Sequence, residues 1–238
     1  MKKVLFAITM LAMVFSVSEL RSQDLEEILG QVTDMKSKAV YASDYKFDTY
    51  LQLEISDMGD DNIVYDTYLT KDGSSYAVLF TEGGAKSVIV VDTKNSSILM
   101  LSDDEGEKTG VAMAVNPKAL EEVTAEVKEG DISYADFKTG NTKEILGYKC
   151  VEYLIEEDGS TSRLWASEEL GKEVEQDMLG NQHIFGGAFI HSTGMNGMVL
   201  EYHFTDGSDT RTLKVTRIDL KASYSVNIGD YAVMSMGQ

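Results

Sequence analysis

Apolar and polar residues alternate along most of the chain. Between residues 45 and 55, the odd positions carry Tyr45, Phe47, Thr49, Leu51, Leu53 and Ile55, and the even positions are mainly polar. A period of two predicts a β-strand with one buried and one solvated face. Further short apolar runs, bounded by Gly, Asp and Asn turns, follow to residue 115 and again from residue 132. They predict an antiparallel meander of about 11 strands, since short loops join sequential strands without crossover helices.

Three segments show helical signals instead. Apolar residues recur every three or four positions within residues 25–38. Asn116-Pro117 is a helix-start pair and opens "PKALEEVTAEVK". Ser167 precedes a third segment that carries Glu168 and Glu169 in its first turn. The sequence therefore predicts an α+β fold, in which two or three helices pack on a curved antiparallel sheet.

The N-terminus has the pattern of a secretory signal peptide over residues 1–22. Lys2 and Lys3 precede an apolar run that ends at Val17, and small residues follow to Ser22. The run is shorter than the roughly 20 apolar residues that span a bilayer, so an uncleaved membrane anchor is the weaker alternative. We expect an exported protein of the periplasm or the exterior, not an integral membrane protein, with residues 23–238 forming a single domain.

The acidic net charge disfavours some classes of binding partner. The formal net charge is -19 at pH 7, and such an acidic surface repels nucleic acid and anionic headgroups. Cationic partners or loosely held divalent cations are compatible with it. Acidic turns such as residues 103–107 lack the ligand spacing of a calcium-binding loop, so we interpret them as solvated turns, with weak calcium binding as an alternative.

Motifs for catalysis are missing from the sequence. It contains no GxSxG, Walker, HExxH or CxxC pattern, and the spacing of His183, His191 and His203 fits no common zinc site. We therefore expect no enzyme, no cofactor and no metal; a hydrolase with scattered carboxylates is the least favoured alternative. The single cysteine, Cys150, lies within a predicted strand, where a packing role is more typical than that of a nucleophile. Strand alternation leaves the face of Cys150 undecided.

Several short segments carry a resemblance to known families. They are "GYKCVEY" (147–153) followed by "RLWAS" (163–167), "GMVL" (197–200), and "VTRI" (215–218) followed by "YSVNIGDY" (224–231). Together they resemble an exported bacterial family of unknown function with G-Y-x-C-x-x-Y and V/L-W motifs. Val199 stands where that family has a proline, and the ending lacks a second proline. The order of elements resembles that of the outer-membrane lipoprotein carriers of the LolA and LolB type. The resemblance implies a half-barrel with helices on its concave side and a capacity to bind lipid, but no reaction.

Strands that are apolar on both faces, such as "AVLF", "VIVV" and "ILML", belong to a closed core or line a cavity. We predict a non-catalytic envelope protein that binds or carries an apolar ligand, such as a lipid or acyl chain. A structural module that binds a protein or polymer through edge strands and acidic loops is the alternative. The candidate lining residues are Phe47, Leu51, Leu53, Leu69, Phe80, Ile89, Val91, Leu99 and Leu101.

Overall fold

The computed structural model describes residues 37–57, 63–71, 74–82, 84–116, 134–157, 159–178 and 197–236. Most of these residues lie in strands. The strands are β1 (Asp44–Phe47), β2 (Thr49–Asp57), β3 (Ile63–Leu69), β4 (Ser75–Glu82), β5 (Ala85–Asp92), β6 (Ser97–Asp104), β7 (Glu107–Ala114), β8 (Lys138–Ile145), β9 (Tyr148–Glu157), β10 (Ser160–Ser167), β11 (Met198–Asp206), β12 (Asp209–Asp219), β13 (Tyr224–Asn227) and β14 (Ala232–Met236). The helical elements are α1 (Glu168–Met178) and two 3-10 turns, Tyr134–Phe137 and Ile228–Asp230.

Twelve of these strands form one open sheet, in the order β14-β7-β6-β5-β4-β3-β2-β12-β11-β10-β9-β8. Every pairing is antiparallel except that of β14 with β7, which is parallel. The predicted α+β class, with an antiparallel sheet of about 11 strands and two or three helices, is therefore wrong for the described part of the chain. That part is strand-dominated, its large sheet is mixed, and it contains one α-helix. Two of the predicted helices, within 25–38 and from 117 onwards, fall almost wholly outside the described residues.

The mixed pairing arises at the C-terminal end. The sequence predicts one final strand over residues 224–236, but the 3-10 turn Ile228–Asp230 divides it into β13 and β14. The Asn227 side chain accepts a hydrogen bond from the Gly229 amide at 3.0 Å, which caps this turn. The change of direction takes β14 to the edge of the large sheet, beside β7.

A second layer consists of β1 and β13, which pair antiparallel to form a two-stranded ribbon. The predicted strand Tyr45–Ile55 is broken at Asp48, whose amide donates to the carbonyl oxygen of Leu69 at 2.9 Å. Residues before the break join the ribbon, and residues after it join the large sheet. Because polarity alternates without interruption across Asp48, the pattern alone contains no signal for the break.

The helix predicted after Ser167 is confirmed as α1. The Ser167 hydroxyl accepts a hydrogen bond from the Leu170 amide at 3.3 Å, the N-cap arrangement expected for serine. Leu170 is fully buried against the large sheet. The Tyr148 hydroxyl donates to Glu173 at 3.2 Å and links β9 to the outer side of α1.

Candidate apolar ligand site

The large sheet has two apolar faces because neighbouring residues of β4, β5 and β6 point in opposite directions. We name one the Leu51 face. Its buried members are Leu51, Tyr65, Leu69, Tyr76, Val78, Ile89, Ile98 and Val215, and its half-buried members are Leu53, Phe80, Val91, Met100 and Met113. The other is the Leu99 face, with Ala77, Val88, Val90, Leu99, Leu101 and Ala112.

The ribbon closes the Leu99 face. Tyr45, Phe47, Val226 and Ile228 from the ribbon and its following turn are buried in the same cluster as Leu99 and Val90. Leu99 and Val90 are 0% exposed. This face is therefore the interior of a two-layer sandwich, in which the small ribbon covers the strands from β4 to β7.

The nine candidate lining residues divide between the two faces. Leu51, Leu53, Leu69, Phe80, Ile89 and Val91 share the Leu51 face. Phe47, Leu99 and Leu101 lie in the cluster beneath the ribbon. The structure thus brings six of the nine together and places three on the far side of the sheet. That the six line a ligand site stays a prediction.

Two hydroxyl groups lie within the apolar surroundings of the Leu51 face. Thr67 is 0% exposed and Tyr65 is 5% exposed, and neither hydroxyl has a hydrogen-bond partner among the residues that the structure describes. In the strand register, Thr67 lies opposite Leu51 of β2 and Val78 of β4. Burial raises the pKa of Tyr65 to about 12, so its phenol stays protonated at neutral pH. The sequence shows these residues as part of an alternating strand and gives no sign that their hydroxyls are unpartnered.

Cys150 belongs to the same cluster as Leu51 and is 0% exposed. It lies within β9, and its thiol contacts the carbonyl oxygen of Tyr148 at 3.6 Å. Burial raises its pKa to about 11, which leaves almost no thiolate at neutral pH. Cys150 thus points to the Leu51 face, which strand alternation in the sequence left undecided. Its burial and raised pKa are typical of a packing residue and not of a nucleophile. The Gly147 of the same motif forms the β8–β9 turn with Leu146, where both residues have positive φ.

A charged cluster lies across β8 to β11 beside Trp165. The Lys143 ammonium is 4.3 Å from the centre of the Trp165 ring and 2.8 Å from a Glu201 carboxylate oxygen. His203 contacts the other Glu201 oxygen. The Lys143 ammonium therefore faces a carboxylate, and this ion pair links β8 to β11.

Glu152 is the second carboxylate of this charged cluster. It accepts hydrogen bonds from Thr139 at 2.6 Å and Asn141 at 2.7 Å, and the Arg163 guanidinium lies at 3.1 Å. The hydrogen bonds from Thr139 and Asn141, followed by the charges of Arg163 and Lys143, lower the pKa of Glu152. The sequence favours a strand over residues 132–138 and a turn over residues 139–147, whereas the structure has a 3-10 turn at Tyr134–Phe137 and β8 at Lys138–Ile145. Both predictions are wrong. The second fails because Thr139 and Asn141 of β8 use their polar side chains to bind a buried carboxylate.

A polar cleft of about 560 Å³ lies between β1 and the turns after β3 and β5. At its base, the buried Asp92 accepts hydrogen bonds from the Tyr45 hydroxyl at 2.8 Å and from the Asn95 amide side chain at 2.7 Å. The carboxylate is fully partnered and fixes the ribbon to the β5–β6 turn. Among the described residues, no three His, Cys, Asp or Glu side chains converge as metal ligands would.

The fold and the site define a class: an open, strand-dominated sheet protein with one sandwiched face and one apolar face that carries buried hydroxyls. The chain belongs to the family described as "Domain of unknown function (DUF4412)", whose model matches residues 47–188. This confirms the expectation of a family of unknown function. No curated protein matches the chain.

Solved structures show distant likeness only. PNGF-II, solved in two crystal forms, is 13% identical with TM-scores of 0.38 and 0.37, and the alignment covers 79% of this chain. The chain spans 31% of the length of that protein. A LolA superfamily protein from Nitrosomonas europaea is 8% identical with a TM-score of 0.26, and the alignment covers 83% of this chain and 93% of that protein. In the described ranges, no helix is both long and apolar enough to cross a membrane.

Proposed function

We propose that the chain is a non-catalytic protein of the cell envelope that binds or carries an apolar ligand, a lipid or acyl chain, on the Leu51 face. The observation that carries this proposal is a group of large apolar side chains on the Leu51 face, Leu53, Phe80 and Val91, that are only half-buried. The ribbon packs on the opposite face, around Leu99 and Val90. Export to the periplasm or the exterior rests on the signal-like residues 1–22.

The chemistry of the Leu51 face supports this function. Met100 and Met113 are half-buried members of it, and methionine adapts its shape to ligands of irregular outline. Each buried methylene contributes about 0.8 kcal/mol, so ten methylenes contribute about 8 kcal/mol, against an association cost of about 4–15 kcal/mol. Long acyl chains are therefore favoured over short ones.

The first experiment is extraction. The mature protein is purified from its native host and from a heterologous host, and bound lipid is identified by mass spectrometry. We expect acyl lipids in stoichiometric amounts. If the protein carries no lipid from either source and binds no fluorescent fatty acid, the proposal is wrong.

A matched pair of variants locates the site. Phe80 and Leu79 are neighbours in β4, both half-buried, and they point to the Leu51 face and the Leu99 face respectively. We expect Phe80→Ala to weaken acyl binding several-fold and Leu79→Ala to leave it unchanged at a comparable loss of stability. Equal effects on binding would show that the ligand does not distinguish the faces.

The only tryptophan provides an independent readout. Trp165 packs against the Leu51 cluster, so a brominated fatty acid bound on that face should quench its fluorescence. The unbrominated fatty acid is the control and should not quench. Saturable binding without quenching would place the ligand elsewhere.

One observation favours a second function, strand-mediated binding of an envelope protein. The described part of the large sheet ends at β14, where Met234 is 68% exposed and Met236 is 39% exposed. An extended partner segment can add to such an edge. Capture of an envelope protein that is insensitive to lipid and lost in Met234→Lys would support this alternative.

A further inference from the structure

Tyr65 and Thr67 are two residues apart in β3, so both side chains point to the Leu51 face. Their partners across β2 are Leu53 and Leu51, both apolar. Both hydroxyls are buried, and neither has a partner within the described part of the chain. Two donors thus lie in a row, and their neighbours across β2 are apolar.

Such hydroxyls are unfavourable in the ligand-free fold. A buried polar group without a hydrogen bond loses its hydration without compensation, and natural cores keep few such groups. Phenylalanine and valine have nearly the same shapes and would not carry this cost. Two other buried phenols do have partners, since Tyr45 donates to Asp92 at 2.8 Å and Tyr50 donates to Asp66 at 2.6 Å. The buried Tyr153 hydroxyl of β9 has no partner among the described residues, but it lies in a separate cluster with Leu164 and Val199.

We propose that the Tyr65 and Thr67 hydroxyls donate hydrogen bonds to the acyl carbonyl of the bound ligand, which is therefore an acyl amphiphile and not a plain hydrocarbon. This inference rests on the proposed function. It adds the chemical class of the ligand and the residues that recognise it.

The surroundings favour a neutral acceptor. Leu51, Leu53 and Val78 flank the two hydroxyls, and burial of an unpaired carboxylate among apolar side chains costs much more than burial of a carbonyl group. A neutral hydroxyl matches a carbonyl oxygen, which needs only donors. An ester carbonyl and the carbonyl of a protonated fatty acid share this chemistry.

The test compares two isosteric variants with a control. Tyr65→Phe and Thr67→Val remove one hydroxyl each with little change of shape. Ser97→Ala is the matched control. The Ser97 hydroxyl is also buried without a partner among the described residues, but it lies on the other face, opposite Asp92 and Ala114. Binding is measured for cis-parinaric acid, for its methyl ester and for the fluorescent hydrocarbon diphenylhexatriene, with urea unfolding of each variant.

We expect the double variant, which combines Tyr65→Phe with Thr67→Val, to bind the acid and the ester about tenfold more weakly, because two hydrogen bonds are lost. Its affinity for diphenylhexatriene and its urea midpoint should be unchanged or higher. Ser97→Ala should bind all three probes as the parent does. If the hydroxyls had a purely structural role, their removal would not weaken acyl binding while the stability of the protein stayed the same or rose.

The binding data distinguish a failure of the proposed function from a failure of the carbonyl contact. If the parent protein binds none of the three probes, the proposed function itself is wrong. If the parent binds all three and the double variant keeps its affinity for acid and ester, the carbonyl contact is wrong and the proposed function stands. Weaker binding of the acid alone would identify the free carboxyl group as the recognised feature and would also overturn the carbonyl assignment.

Discussion

Replacement of Gly171 by alanine tests how α1 is seated on the sheet. A Cβ atom at Gly171 would lie 2.6 Å from the Gly197 Cα and 3.1 Å from the Met198 amide nitrogen. Ordinary carbon contacts are about 3.5–4.0 Å, so helix and strand would have to separate by about 1 Å. Both obstructing atoms belong to the backbone, which cannot rotate away as a side chain can.

Two effects of opposite sign compete in this variant. Alanine is better than glycine inside a helix by about 1 kcal/mol, whereas overpacking costs about 1–3 kcal/mol. Because Gly171 is buried and the contact is with backbone, we expect the steric cost to exceed the helical gain. The net loss in the free energy of unfolding should be up to about 2 kcal/mol, which corresponds to a fall in Tm of up to about 8 °C for a chain of this size.

The assay is urea unfolding followed by far-ultraviolet circular dichroism. The exposed neighbour Lys172 supplies the control, because the difference between Lys172→Gly and Lys172→Ala measures the gain of alanine over glycine in the same helix without the obstruction. We expect a gain of about 1 kcal/mol at position 172 and a loss at position 171. Stabilisation at both positions would refute the close backbone contact between α1 and β11.

Three further outcomes follow from the buried polar and thiol groups. Glu152→Gln should lower the free energy of unfolding at pH 7 by about 1–3 kcal/mol, because hydrogen bonds and the Arg163 charge lower the pKa of the carboxyl. The pKa of Glu152 in the folded state lies below its value of about 4.3 in the unfolded chain. The stability that the carboxylate contributes is therefore present above about pH 4.3 and is lost as the pH falls through the folded pKa. The urea midpoints of the parent and of Glu152→Gln should converge in acid. Cys150 should react slowly with maleimide in the native protein and quickly in urea, since it is 0% exposed with its pKa raised to about 11; fast native labelling would contradict its burial. Tyr45→Phe should cost about 1–3 kcal/mol in urea unfolding, because it removes a hydrogen bond to the buried Asp92; an unchanged midpoint would show that the bond does not hold the ribbon.

Local patterns predicted most of the strands and α1, since these elements depend on side-chain periodicity and on a cap residue next in sequence. Strands β3 to β6 are short, largely apolar segments that lie between turn residues. Ser167 and the two glutamates after it are sufficient to start α1. In each case the deciding contacts lie within a few residues along the chain.

Long-range pairing was not predictable in the same way. Asp48 ends one strand because its amide binds Leu69, and β14 is parallel because a 3-10 turn carries it to β7. Neither event alters the alternation of apolar and polar residues. As a result, Phe47 and Leu51 look like members of one buried face in the sequence, although they lie in different clusters.

The same limit explains which part of the candidate site could be found in advance. Apolar alternation identified the strands that carry the Leu51 face, but it grouped with them Leu99 and Leu101 of the Leu99 face and Phe47 of the ribbon. The hydroxyls of Tyr65 and Thr67 become informative only when the structure shows that no acceptor from the described ranges reaches them. An unpartnered donor is a property of three-dimensional surroundings, and neither residue type nor spacing encodes it. For the proposed binding function, the chemistry of the ligand therefore has to be inferred from the few polar groups that the described part of the apolar face leaves without partners.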